Sequence, residues 1–199
     1  MYPESDDLNE YLISDAIVDW RTPEVLHKAL ELTHSLTDEV AKARCLYEWV
    51  RDAISHSNDA GLDIVTCAAS EVLRHGTGIC FAKSHLLAAL LRAVSIPAGF
   101  CYQVLRLDPA GDDEMVLHGF NGIYLASINR WIRVDARGNS GGINAQFSVK
   151  KEQLAFVMDP LTDEFIYETI FTEPVDSVVE RLKMYDRISE LWLDLPESL

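Results

Sequence analysis

Over residues 23–36 the apolar positions fall at helical spacing, with Val25, Leu26, Ala29, Leu30 and Leu32 recurring on one side. Pro23 stands near the start, where a missing N–H costs little. Thr37-Asp38-Glu39 then opens a second predicted helix, which runs to about Ile54. A capping oxygen followed by an acid suits a helix N-terminus. Its apolar face reads Ala41, Cys45, Leu46, Trp49, Val50 and Ala53, with Lys42, Arg44, Glu48 and Asp52 outward. Residues 55–62 form a polar connection, and 68–74 a short helix. After the glycine-punctuated stretch His75-Gly76-Thr77-Gly78-Ile79, the chain from Cys80 to about Val94 is apolar nearly all round. That pattern marks a buried central helix, and Ser95-Ile96-Pro97 stops it.

The second half changes period. Residues 98–107, 115–125 and 131–136 read as strands, with a turn-rich loop at 108–113 and Ala126-Ser127-Ile128-Asn129 between the last two. A glycine-rich loop follows at 137–142. Short strands are expected near 147–149 and 165–170, and a closing helix over 175–193. Helices first and strands second predict an α+β fold.

The chain has 199 residues, 48% of them apolar, which suits one globular domain. Its formal net charge is −15 and it has no Lys/Arg-rich run, so a nucleic acid or an anionic membrane is not an expected partner. The longest apolar stretch, 86–94, is broken by Arg92 and is too short to span a bilayer. The acidic first residues are followed by no apolar leader segment. Cys45, Cys67, Cys80 and Cys101 make no C-x-x-C pair and have no His-x-x-x-His companion, so neither a metal site nor a cofactor is expected. A chain this long can bury a core without disulfides, and a reducing cytoplasm is the simplest setting.

Candidate chemistry gathers at Cys80. A helix N-terminus offers unpaired N–H groups and partial positive charge, which favour thiolate over thiol. The same N–H groups can hold a developing oxyanion. A nucleophilic thiol needs a base, and the base an orienting group. If 126–129 form the hairpin loop, Leu125 faces Arg130 and His118 falls opposite Arg137. Asp135 is then the diagonal neighbour of His118 on the same face. A slip of one residue would separate them. A lone buried histidine, or a lone turn aspartate, has ordinary structural uses; their joint placement after Cys80 points to a Cys-His-Asp set. Cys45 and Cys67 lack such a setting and read as structural. His56 is expected as a solvated loop histidine, with oxyanion support as its alternative. His85 should pack internally, and His27, His34 and His75 belong to no constellation.

The string Gly78-Ile79-Cys80-Phe81-Ala82-Lys83-Ser84-His85-Leu86-Leu87-Ala88-Ala89-Leu90-Leu91-Arg92-Ala93-Val94-Ser95-Ile96-Pro97 resembles the nucleophile block of the transglutaminase-like superfamily, whose core is papain-related. His118-Gly119-Phe120 is similar to its His-x-aromatic, and Trp131-Ile132-Arg133-Val134-Asp135 to its Trp-x-x-x-Asp. The helix 43–54 resembles the one preceding the nucleophile. The resemblance spans about 38–135. It implies a papain-like fold, N-terminal helices with a buried nucleophile helix packed on an antiparallel sheet. It also implies nucleophile Cys80, base Asp135-oriented His118, and no cofactor. Three positions depart from the pattern: Phe120 replaces the usual Trp, His56 an aromatic, and Ser95 a glycine.

The expected activity is amide acyl transfer through a thioester on a peptide, protein or small amide. Hydrolysis, as in a cysteine protease or deamidase, is preferred by analogy with the family. Transglutaminase or N-acyltransferase activity is an alternative, as is a non-catalytic binding module on the same fold. The expected organisation is one domain over 1–199, with a core at about 38–136. Residues 147–199 lie outside that core and could extend the sheet, mediate a dimer or cover the cleft. The loop 136–144 is a candidate cleft wall.

Overall fold

The computed structural model describes residues 1–107, 114–158 and 161–199. The turn-rich loop expected at 108–113 lies outside them. In chain order the elements are β1 (Tyr2–Pro3), α1 (Pro23–Thr33), α2 (Glu39–Ala53), β2 (Ser55–His56), α3 (Ala69–His75), β3 (Thr77–Gly78), α4 (Cys80–Ala93), β4 (Ala98–Arg106), β5 (Met115–Leu125), β6 (Arg130–Val134), β7 (Phe165–Ile166), β8 (Thr169–Ile170), α5 (Asp176–Met184) and α6 (Ile188–Leu191). The fold is α+β. A four-stranded antiparallel sheet runs in the order β6-β5-β4-β7.

The central helix α4 is buried from Phe81 to Arg92 and lies between the sheet and the other helices. Phe81 packs against β5 where Gly119 leaves room: a Cβ there would stand 2.6 Å from the Phe81 ring. Asn121 on the same strand donates from Nδ2 to the carbonyl of Ser84 at 3.0 Å. At the far end of α4, buried Arg92 donates to three carbonyls, those of Ile13 (2.7 Å), Ala98 (2.9 and 3.0 Å) and Thr172 (2.6 Å). One guanidinium thereby ties the N-terminal segment, the start of β4 and the C-terminal segment to the core, its buried N–H groups met by carbonyls.

The start of α2 is capped as its sequence requires, the Asp38 carboxylate accepting from the backbone N–H of Ala41 at 2.7 Å. Its buried stripe differs from expectation: Ala43, Leu46, Tyr47 and Val50 face the core, whereas Ala41, Cys45 and Trp49 are half-buried and Ala53 is exposed. Tyr47 accounts for the rotation, because its hydroxyl donates to the carbonyl of Asp135 at 3.0 Å.

Three further expectations are corrected. Ser55–His56 is a strand, paired in parallel with Thr77–Gly78, rather than part of a polar connection. Residues 147–149 form no strand, since the carbonyls of Phe147 and Val149 accept from the side chains of Arg44 and Arg130. The closing helix is two helices, α5 and α6. The break falls where the Asp186 carbonyl accepts from the backbone N–H of Val65 at 3.1 Å and the Arg187 side chain pairs with Asp63 at 2.8 Å.

Among the described residues no helix is long and apolar enough to cross a membrane.

Candidate active site

Gly78 permits the approach that delivers Cys80. A Cβ at that position would stand 2.9 Å from the Cβ of Ala82 and 3.0 Å from Oγ1 of Thr66. The chain therefore enters α4 tightly, and Ile79, in extended geometry, supplies no side-chain cap. The backbone N–H groups of the first turn are left for a ligand.

The β5–β6 hairpin turns through 126–129, and Leu125 pairs with Arg130 in the expected register. The ladder ends at Asn121–Val134, so Asp135 leaves the sheet immediately beside it. The His118 ring donates from Nε2 to Oδ2 of Asp135 at 2.8 Å, and both residues are buried. Nδ1 is the ring nitrogen left to face the thiol. The Asp135 carboxylate also accepts from two backbone N–H groups, those of Arg137 (3.0 Å) and Ala155 (3.1 Å). A carboxylate fixed on three sides holds the ring in one orientation.

Cys80 is half-buried and lines a cavity of about 390 Å³. Burial opposes its ionisation, but the charge of His118, its hydrogen bond and the hydrogen bond of His56 outweigh that and bring the thiol down to about 6. Burial likewise opposes the His118 imidazolium, yet Asp135 and then Cys80 raise it to about 10. Both shifts favour an ion pair of thiolate and imidazolium over the neutral pair. The other cysteines move the opposite way through burial, Cys67 to about 11 and Cys101 to about 12, with Cys45 also raised.

His56 corrects the expectation of a solvated loop residue. Its position on β2, fixed by pairing with β3, buries it beside Cys80. Its Nδ1 lies 3.4 Å from the Asp59 carboxylate. Asp59 in turn binds Arg137 at 2.6 Å and accepts from the Ser140 hydroxyl. Residues of the glycine-rich loop thus reach the site, and Arg137 lines the cavity.

His85, as expected, is internal, its Nδ1 bonded to the carbonyl of Cys67 at 2.8 Å. Lys83 is fully buried one turn into α4, where its ammonium donates to the carbonyls of Ile54 and of Arg51 (3.4 Å). It closes the end of α2 just ahead of His56. Burial first, and then the charge of Arg137, lower it to about 7. Neither its burial nor the part played by Ala155 and Phe156 is visible in local sequence pattern. The Phe156 ring stands edge-on to His118 at 4.9 Å with the Arg137 guanidinium 5.7 Å from its centroid. The one signal that could have flagged Phe156 is the run of aromatic residues after the core.

The family model described as the transglutaminase-like superfamily matches residues 27–136. No curated protein matches the chain. Among solved structures, a "putative cysteine protease" from Cytophaga hutchinsonii is 20% identical, with a TM-score of 0.54 over 67% of this chain and 43% of that one. A "putative protease" from Parabacteroides distasonis is 17% identical over 66% of this chain and 28% of that one, with a TM-score of 0.41. A structure named as a TGase is also 17% identical, over 66% of this chain and 36% of that one, with a TM-score of 0.44. The aligned parts span less than half of each of these longer chains. At this identity the first likeness is one of fold, and the other two add nothing to it.

Proposed function

This chain belongs to the transglutaminase-like superfamily, and from that premise we propose that it is a cysteine-nucleophile enzyme of amide acyl transfer, with Cys80 as nucleophile, His118 as general acid and base, and Asp135 as orienting acid. The observation that carries the reading is the opposed pair of shifts at one contact: a thiol pulled down beside an imidazole pushed up, with that imidazole held by a buried carboxylate at 2.8 Å.

The Cys80 thiolate attacks the amide carbonyl carbon. The carbonyl electron pair moves to oxygen, and the oxyanion is met by unspent N–H groups at the start of α4, with His56 as a side-chain donor beside them. The His118 imidazolium gives its proton to the leaving nitrogen, the C–N bond breaks, and an amine departs from a thioester. His118, now neutral, takes a proton from water as the water attacks the thioester. The second tetrahedral intermediate collapses with loss of the thiolate, leaving a carboxylic acid. An amine in place of water would give transamidation.

Hydrolysis of a peptide, protein or small amide is the preferred outcome. The chain works as one unit, the core at about 38–136 completed by the extension 147–199, because the Ala155 N–H is one of the three groups fixing Asp135.

Two measurements test the reading. Iodoacetamide at pH 7, with peptide mapping, is expected to alkylate Cys80 far ahead of Cys45, Cys67 and Cys101. Turnover of a mixed peptide-amide library is expected from the wild-type chain and not from Cys80→Ala. Slow, unselective alkylation of all four thiols would overturn the assignment in favour of a non-catalytic module.

A further inference from the structure

We propose that the cavity beside Cys80 is an apolar subsite, walled by the C-terminal segment, that selects a substrate with a bulky apolar or aromatic group next to the reacting carbonyl. This rests on the reading of Cys80 as nucleophile and deepens it to a substrate class.

The cavity holds about 390 Å³, with Cys80 and His118 lining one part of it. Its size falls in the range of small-ligand sites, about 300–1,000 Å³. A void of roughly 150 Å³ takes a benzene ring, so there is room here for a ring and the amide that carries it. Phe81, Val116 and Leu117 supply apolar wall from the core, and Phe156, Trp192 and Leu195 add to it. The last three lie beyond residue 136, where the family match ends. Part of the apolar wall therefore comes from the segment beyond the matched core.

The wall is built into the fold. The backbone N–H of Leu117, next to His118, donates to the carbonyl of Pro196 at 2.7 Å. The Ala155 N–H is fixed on Asp135, and Val65 holds the α5–α6 break through Asp186. The Trp192 and Leu195 side chains are thus anchored on both flanks.

Two of the charged side chains that line the cavity have partners. Arg137 is paired with Asp59, and a Glu164 oxygen accepts from the backbone N–H of Arg106 at 3.1 Å. A charged substituent seated against Phe81, Val116, Leu117, Phe156, Trp192 and Leu195 would lose its water with no polar group on that wall to replace it. An apolar one gains by leaving water.

The test needs no knowledge of the natural substrate. Second-order rates of Cys80 alkylation are compared for iodoacetamide, N-benzyl-iodoacetamide and N-carboxymethyl-iodoacetamide, each divided by its rate with N-acetylcysteine. The benzyl reagent is expected to gain about 10-fold or more over the parent, the scale of burying one phenyl group, and the carboxymethyl reagent to fall below it. Trp192→Ala should lose most of that gain and Trp192→Phe should keep it. Leu195→Asp should lose it as well. Fast parent alkylation of Cys80 with no benzyl gain would overturn the subsite and leave the nucleophile standing. Slow parent alkylation would overturn both.

Discussion

His118 and His56 line the same cavity as Cys80, and both lower its thiol pKa, yet the fold holds them by different means. His118 sits in the middle of a long inner strand and meets its carboxylate at 2.8 Å, and that carboxylate accepts from two backbone N–H groups as well. His56 sits on a two-residue strand and faces Asp59 at 3.4 Å, a carboxylate committed to Arg137 and Ser140. Both carboxylates are held by further groups, but only His118 is hydrogen-bonded to its own. A proton shuttle must return to one geometry in both halves of a reaction, whereas an oxyanion donor has only to present an N–H. The difference in construction supports the roles proposed for the two rings.

The comparison breaks most severely where the thiol or the shuttle is lost. Cys80→Ala should leave no turnover. His118→Ala should cost on the order of 10⁴–10⁶ in kcat/KM. It should also shift the midpoint of iodoacetamide labelling from about 6 upward towards the ordinary thiol range, because the charge that depresses the Cys80 thiol is gone.

Asp135→Asn keeps the shape but frees the ring to turn and removes its countercharge, for a loss of about 10²–10⁴. His56→Ala should cost about 10² if it removes one oxyanion donor, with His56→Gln recovering part of it. Neither His56 substitution should abolish the alkaline limb described next. Arg137→Ala, which acts on His56 only through Asp59, should have the smallest effect, within about 10-fold, read in the same kcat/KM assay.

The pH profile separates the rings without mutation. Below about 6 the thiol takes up its proton and rate is lost; above about 10 His118 loses the proton the leaving amine needs, and rate is lost again. A broad plateau between those limits is expected for kcat/KM. A profile that rises only above 8 would mean that the thiol is not paired with an imidazolium.

The contrast between the histidines also shows what a sequence can reveal. Near His118 the signals are local: period-two alternation fixes the strands, and a four-residue loop fixes the register that brings Asp135 to the ring. The start of α4 is legible because a glycine entry and an all-round apolar run sit side by side. The burial of His56 is not legible locally, because it depends on a strand partner some twenty residues away, at Thr77–Gly78, and two paired residues leave no periodic trace. The break between α5 and α6 was hidden for a similar reason: the carbonyl that ends the pattern is drawn off by Val65. The buried ammonium of Lys83 reads as an ordinary helix lysine until the end of α2 is folded over it. The aromatic residues after 147 could be seen as unspent, but which wall they would form depends on tertiary contact alone.

Arg92 sets an order on how the molecule is made. The last of its three acceptors, the carbonyl of Thr172, lies 80 residues further along the chain. A ribosome delivers the N-terminal part first, so throughout synthesis of β4, β5 and β6 this guanidinium lacks its Thr172 acceptor. A nascent chain halted short of Thr172 should therefore protect the amides at the far end of α4 from hydrogen exchange less well than the finished one.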